Sequence, residues 1–266
     1  MTMGWQEVSG NWILIPERPR AIIHFLGGAF VAAAPNVTYQ WLLENLAREG
    51  YLIVATPFIN TFDHSAIAQE VLTTFNQAMH YLYKRVLPDR DYLPVYGLGH
   101  SMGCKVHLLI NSLWEVDRSG NIFLCFNNYP AKRSIPFLEP VLDQVVQFNP
   151  AFDVEFTPSP EKTLGLIQDY YPIAQNLLIK FRSDTIDQTR PLSEVLIRRF
   201  PDQTQIRILK GSHTTPIAQD YAWQPGQVFS PLDAIGQFMK QEFYRDLMVL
   251  KQELLAWLAP VPERMG

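Results

Sequence analysis

Two apolar spacings alternate along the chain. Mostly apolar runs at 21–26, 51–55, 122–126 and 177–181 have the length and the Ile, Leu, Val and Phe content of strands buried on both faces. Runs at 93–96 and 205–209 add two more strands. Between them, apolar residues recur every three or four positions, as on one face of a helix. This spacing predicts helices over 38–48, 64–86, 102–114, 191–200 and 231–258. Their ends carry the matching signals: Asp63 as N-cap, Gly50 after a C-terminus, and Ser230-Pro231 opening the last helix. Residues 5–8 and 12–16, joined through Ser9-Gly10-Asn11, form an N-terminal hairpin. Strands alternating with helices make right-handed parallel βαβ units, so the expected class is α/β, a mostly parallel, doubly wound sheet.

One stretch breaks the rhythm. Residues 130–172 hold seven prolines and no clear strand. A segment of that length inside an α/β domain is an insertion, predicted as a helical cap with one helix starting at Ser159-Pro160-Glu161. The expected organisation is a core of residues 1–129 and 173–266 with a cap of 130–172.

Composition narrows the function classes. The net charge of −4 over 266 residues leaves no basic footprint for nucleic acid and no polybasic cluster for an anionic membrane surface. No apolar run approaches the roughly 20 residues of a membrane span, and no leader-like segment opens the sequence. Cys104 and Cys125 both lie in apolar runs, as buried thiols do, so no disulfide framework is expected. A cytoplasmic protein is the expectation.

The chemistry concentrates at Gly97-Leu98-Gly99-His100-Ser101-Met102-Gly103, where a strand passes into a helix. A G-x-S-x-G turn at that junction strains the serine backbone and presents its hydroxyl at a helix N-terminus. A serine nucleophile needs a base, and the base an orienting acid. The loop after 177–181 offers Asp184, first after the strand, with Asp187 as the alternative acid; the loop after 205–209 offers His213. Both loops follow strand carboxyl ends, the edge where open α/β sheets carry their sites. Two backbone donors must meet a developing oxyanion. Met102, after the nucleophile, supplies one; Gly28, with Ala29 as alternative, supplies the other from Gly27-Gly28-Ala29-Phe30. His100 and Phe30, with Phe137 and Tyr170 from the cap, are candidate substrate-pocket residues. His24, inside a strand, is expected to be a hydrogen-bonded core residue. No metal-ligand spacing and no G-x-G-x-x-G occur, so neither a metal nor another cofactor is expected.

With these motifs the chain resembles the α/β-hydrolase superfamily over roughly residues 12–258, with the cap after the sixth strand of that fold. That resemblance implies Ser101, Asp184 and His213 as a triad. The loop Gly27-Gly28-Ala29-Phe30-Val31 and Ala34-Pro35 departs from the His-Gly opening of ordinary esterases. With Ala55-Thr56-Pro57-Phe58 and Thr61-Phe62-Asp63-His64, it resembles a branch found in cyanobacteria and plant chloroplasts and catalogued as a domain of unknown function. The expected function is a serine hydrolase cleaving a carboxylic ester or thioester, of a small or lipid-like acid, through an acyl-enzyme on Ser101. The alternative is a non-catalytic protein of this fold that binds a ligand or partner under its cap.

Overall fold

The computed structural model describes residues 3–29, 31–88, 92–130, 155–218 and 231–259, with 231–243 as backbone alone. Eight strands form one sheet in the order β1-β2-β4-β3-β5-β6-β7-β8. β1 (Gln6–Val8) and β2 (Asn11–Leu14) make the antiparallel hairpin, and β2 pairs antiparallel to β4 (Tyr51–Ala55). β3 (Ala21–Leu26), β5 (Val95–His100), β6 (Gly120–Leu124), β7 (Asn176–Phe181) and β8 (Thr204–Leu209) run parallel with β4.

The apolar runs are explained by helices on both faces. Ile23 and Phe25 of β3 face one layer, with α2 (Gln40–Arg48) and the C-terminal helix α7 (Pro231–Leu258). Ile22 of β3 faces the other layer, where α3 (His64–Arg85) packs through Phe75, Ala78 and Leu82. α4 (Met102–Leu113) lies beside α3 on that side. β3, β4 and β6 lose water on both sides, so alternation vanishes from their sequence and mostly apolar character remains.

The helix expected at 38–48 is two. α1 (Pro35–Thr38) and α2 are separated by Tyr39, whose φ of −115° and ψ of 20° are not helical. Pro35 starts the first turn, as proline does well. The break turns the fully buried Tyr39 ring toward the end of β3.

The helix begun at Ser159 is α5 (Pro160–Tyr170), and the Ser159 hydroxyl accepts from the Lys162 N–H as its cap. It packs against α4 and against α6 (Thr189–Arg199), burying Ile167 in the layer over β6 and β7. This helix, expected as part of the cap, lies between β6 and β7 in the chain. Residues 131–154 of the expected cap lie outside the described residues, as does Phe30.

Candidate active site

The sheet changes winding direction between β3 and β5, which neighbour each other although β4 lies between them in sequence. The crevice above their carboxyl ends is where ligands bind in this class of sheet. Ser101 sits there, between β5 and α4, with φ 54° and ψ −117°, a conformation L-residues avoid. The flanking glycines make this turn possible. A Cβ on Gly99 would stand 2.6 Å from the Cys104 nitrogen, and one on Gly103 would overlap the Leu26 carbonyl. The Ser101 N–H is anchored to the Leu124 carbonyl of β6 at 2.8 Å. Strain at the serine is thus held by packing on both sides.

The two later loops meet the serine. His213 Nε2 lies 3.0 Å from Ser101 Oγ, and His213 Nδ1 lies 2.7 Å from Asp184 Oδ2. The Asp184 side chain is fully buried, whereas that of His213 is 19% exposed. Burial raises the Asp184 carboxyl; its bond to His213, the Ile186 N–H and the Cys125 thiol outweigh that and hold it below its ordinary value. The alternative acid, Asp187, is occupied elsewhere. It accepts from the Thr189 N–H at 3.1 Å and the Thr189 hydroxyl at 2.6 Å, and pairs with Lys180 at 3.5 Å, fixing the start of α6.

The His213 loop is a tight turn. Gly211 takes φ 120°, the Thr215 hydroxyl accepts from the Ser212 N–H at 2.8 Å, and the Thr215 N–H donates to the Ser212 carbonyl. At the β3 end, a Cβ on Gly28 would stand 3.4 Å from Ser101 Cβ, so this backbone touches the nucleophile. The Gly28 N–H does not point at it. It donates to the Tyr39 hydroxyl at 2.8 Å. The expectation of Gly28 as oxyanion donor is corrected accordingly, and Ala29, the alternative, is the neighbour left to supply an N–H. Met102 occupies the first turn of α4, where N–H groups lack helical partners.

Other expected pocket residues fall differently. His100 is 1% exposed and has both ring nitrogens bonded, one to Tyr39 and one to the His213 carbonyl, so it lines no pocket wall. Tyr170 ends α5 with 63% of its surface in water. Phe30 and Phe137 lie outside the described residues. Asp63 caps α3 through the Ala66 N–H.

Two participants escaped the sequence reading. Tyr39 looks like one more apolar helix residue until the break in the helix is known. Cys125 looks like a buried apolar thiol, yet its φ of 53° turns it toward Asp184 at the end of β6. His100, Cys125 and His213 bring three possible ligand atoms within 4.8 Å of one another. The imidazole nitrogens there are already engaged in hydrogen bonds, so the cluster reads as a hydrogen-bond network.

Solved structures share this fold. A Thermus thermophilus protein, TT1662, is 16% identical, with 81% of this chain and 93% of that one covered and a TM-score of 0.51. The monoacylglycerol lipase of Paleococcus ferrophilus is 12% identical, with 79% and 91% covered and a TM-score of 0.53. A lipase in its open form is 13% identical, with 80% and 92% covered and a TM-score of 0.52. No curated protein matches. These likenesses establish the α/β-hydrolase fold. A family model matches residues 4–260, and the chain therefore belongs to the family described as "Protein of unknown function (DUF1350)".

Proposed function

We propose that this protein is a serine hydrolase that cleaves a carboxylic ester or thioester through an acyl-enzyme on Ser101. One observation carries the reading: the unbroken contact Asp184–His213–Ser101, at 2.7 and 3.0 Å, ending on a serine in a strained elbow. Fold alone supports no chemistry, so the lipases that share it add only that the fold suits this reaction.

In this mechanism Ser101 Oγ attacks the acyl carbon while His213 Nε2 takes its proton, later returning it to the leaving group. Asp184 accepts from His213 Nδ1–H, which fixes the reactive tautomer and stabilises the imidazolium. The Met102 and Ala29 N–H groups meet the oxyanion. Water then repeats the sequence on the acyl-enzyme. The acyl group is taken to be small or lipid-like.

The non-catalytic alternative expects a serine and histidine beyond hydrogen-bond reach, and the 3.0 Å contact gives it no support. The test is labelling by a fluorophosphonate, with the modified residue mapped, beside turnover of p-nitrophenyl esters and acyl thioesters of graded length. Label on Ser101 and turnover of at least one series are expected. A folded protein that is neither labelled nor active overturns the proposal.

A further inference from the structure

His213 has far to reach. It follows β8, which pairs with β7 and lies three strands from β5, where Ser101 sits. At roughly 4.8 Å per strand, its loop must lean back about 14 Å to meet the serine. A loop carried that far needs an anchor near its destination. His100 of β5 is the residue adjacent to Ser101, and its Nε2 lies 2.9 Å from the main-chain carbonyl of His213. The two rings also pack at 5.0 Å between centroids.

The proton positions along this contact follow from the partners. A carbonyl only accepts, so Nε2 of His100 carries a proton and donates. Burial, helped by the neighbouring His213, pushes the His100 imidazole down to about 3, so the ring is neutral and its Nδ1 is a bare acceptor. The Tyr39 hydroxyl, 2.8 Å away, therefore donates to Nδ1. The oxygen of that hydroxyl is then left to accept from the Gly28 N–H at 2.8 Å. Every bond in this series has one direction, and Gly28, Tyr39 and His100 are buried. The sequence of bonds runs Gly28 N–H to Tyr39, Tyr39 to His100, and His100 to the backbone of His213. It ties the loop after β3 to the loop after β8 through the residue beside the nucleophile.

We infer that His100 is a positioning residue: it sets the His213 loop over Ser101 directly, and sets the glycine loop after β3 through Tyr39. This rests on the serine-hydrolase reading above. It also explains two sequence features that the triad does not use. Gly27 has no room for a Cβ because the Tyr39 ring would stand 2.8 Å from it. The helix break at Tyr39 delivers a hydroxyl between the two loops.

The experiment compares His100→Leu, His100→Gln and Tyr39→Phe in the full chain. Each is checked by circular dichroism and melting, then read three ways. The first readout is the rate of fluorophosphonate labelling of Ser101. The second is kcat against KM on the best ester. The third is the low-field proton resonance of His213 Nδ1–H in its bond to Asp184. His100→Leu is expected to slow labelling and lower kcat about 10²-fold with KM unchanged, the scale of a 1 Å misplacement, and to shift or erase the low-field resonance. His100→Gln, whose amide N–H reaches the same carbonyl, is expected to recover most of the loss. Tyr39→Phe keeps the bond to His213, so its resonance stays while kcat falls by a smaller factor.

A folded His100→Leu protein with wild-type labelling and an unmoved resonance overturns the inference. So does a rise in KM alone, which would make His100 a substrate contact. If His100→Leu does not fold, wild-type behaviour of Tyr39→Phe together with no recovery of folding in His100→Gln decides against it. Failure of the wild type to label would defeat the hydrolase reading instead. The resonance comparison would still read the bridge.

Discussion

Two regions of this molecule are built around imidazoles, and only one sets its ring between a carboxylate and a serine. At the carboxyl edge of the sheet, His213 holds a carboxylate on one nitrogen and a serine on the other, with part of its side chain open to solvent. Under α3 and α4, in the middle of the sheet, His24 lies at 0% exposure. Its Nε2–H donates to the Thr56 hydroxyl at 3.0 Å, which in turn donates to Asn11 Oδ1, and its Nδ1 accepts from Arg118 at 3.0 Å. The His24 ring stacks on Phe75 at 4.0 Å, and Arg118 covers the same ring. His107 donates to the His24 carbonyl. Burial first, then Arg118, pushes both histidines far down, His107 to about 3. A cation beside an imidazole keeps it neutral, whereas a carboxylate beside it favours the charged form. The residue type is the same; the partner and the access to solvent decide whether it can serve as a base, as proposed for His213, or stays a core residue.

The sharpest way to break this comparison is at the nucleophile. Ser101→Ala is expected to lose 10⁴ or more in kcat with its melting temperature near that of the wild type, measured by ester turnover and calorimetry. Loss of the carboxylate comes next. Asp184→Asn keeps the shape but reverses the tautomer His213 must hold, and is expected to lower kcat by about 10³ to 10⁴. Asp187→Asn should leave kcat within a small factor and lower stability, since Asp187 serves Thr189 and Lys180. If the two variants exchange phenotypes, the assignment of the acid is wrong.

In the other region the expected result is inverted. Thr56→Val matches the shape but strands His24 Nε2–H and Asn11 Oδ1, and is expected to cost about 1–3 kcal/mol in urea unfolding. Turnover per folded molecule should be unchanged. A large kcat loss there would show that the two regions are coupled through β3.

Acid should expose what both regions share. His24, His64, His100 and His107 all have imidazoles held down by burial, three of them to about 3, against an ordinary value of 6.5. The unfolded chain therefore binds protons first as pH falls. The stability from keeping these rings neutral is present above pH 6.5 and drains away toward about pH 3. Asp184, also lowered, acts in the same direction below its ordinary 3.8. Urea midpoints at a series of pH values should fall below pH 6.5, with the slope reporting up to four protons taken up on unfolding. His100→Gln should remove about one of them, the smallest of these effects.

Much of the fold was readable in the chain. The run Ala21–Leu26 announced a strand buried on both faces because helices cover both sides of it. The order of Ser101, Asp184 and His213 placed each in a loop after a strand, and the three side chains meet. Tyr39 was not legible, because Trp41, Leu42 and Leu46 keep a helical spacing on either reading of the break. The packing of the helix Pro160–Tyr170 was not legible, because prolines mark a segment as irregular without saying which layer its helix joins.

The residues by themselves determined the class of sheet and the elbow at Ser101, and singled out His213 as the base of the proposed mechanism. These depend on local spacing and on glycines at 99 and 103 that the turn requires. Tertiary structure decided the rest. It chose Asp184 over Asp187, drew the Gly28 N–H away to Tyr39, and turned His100 from a candidate substrate contact into a bridge. Those choices depend on where a donor points across strands distant in sequence, and hydrogen bonding is directional at that range whereas hydrophobic patterning is not.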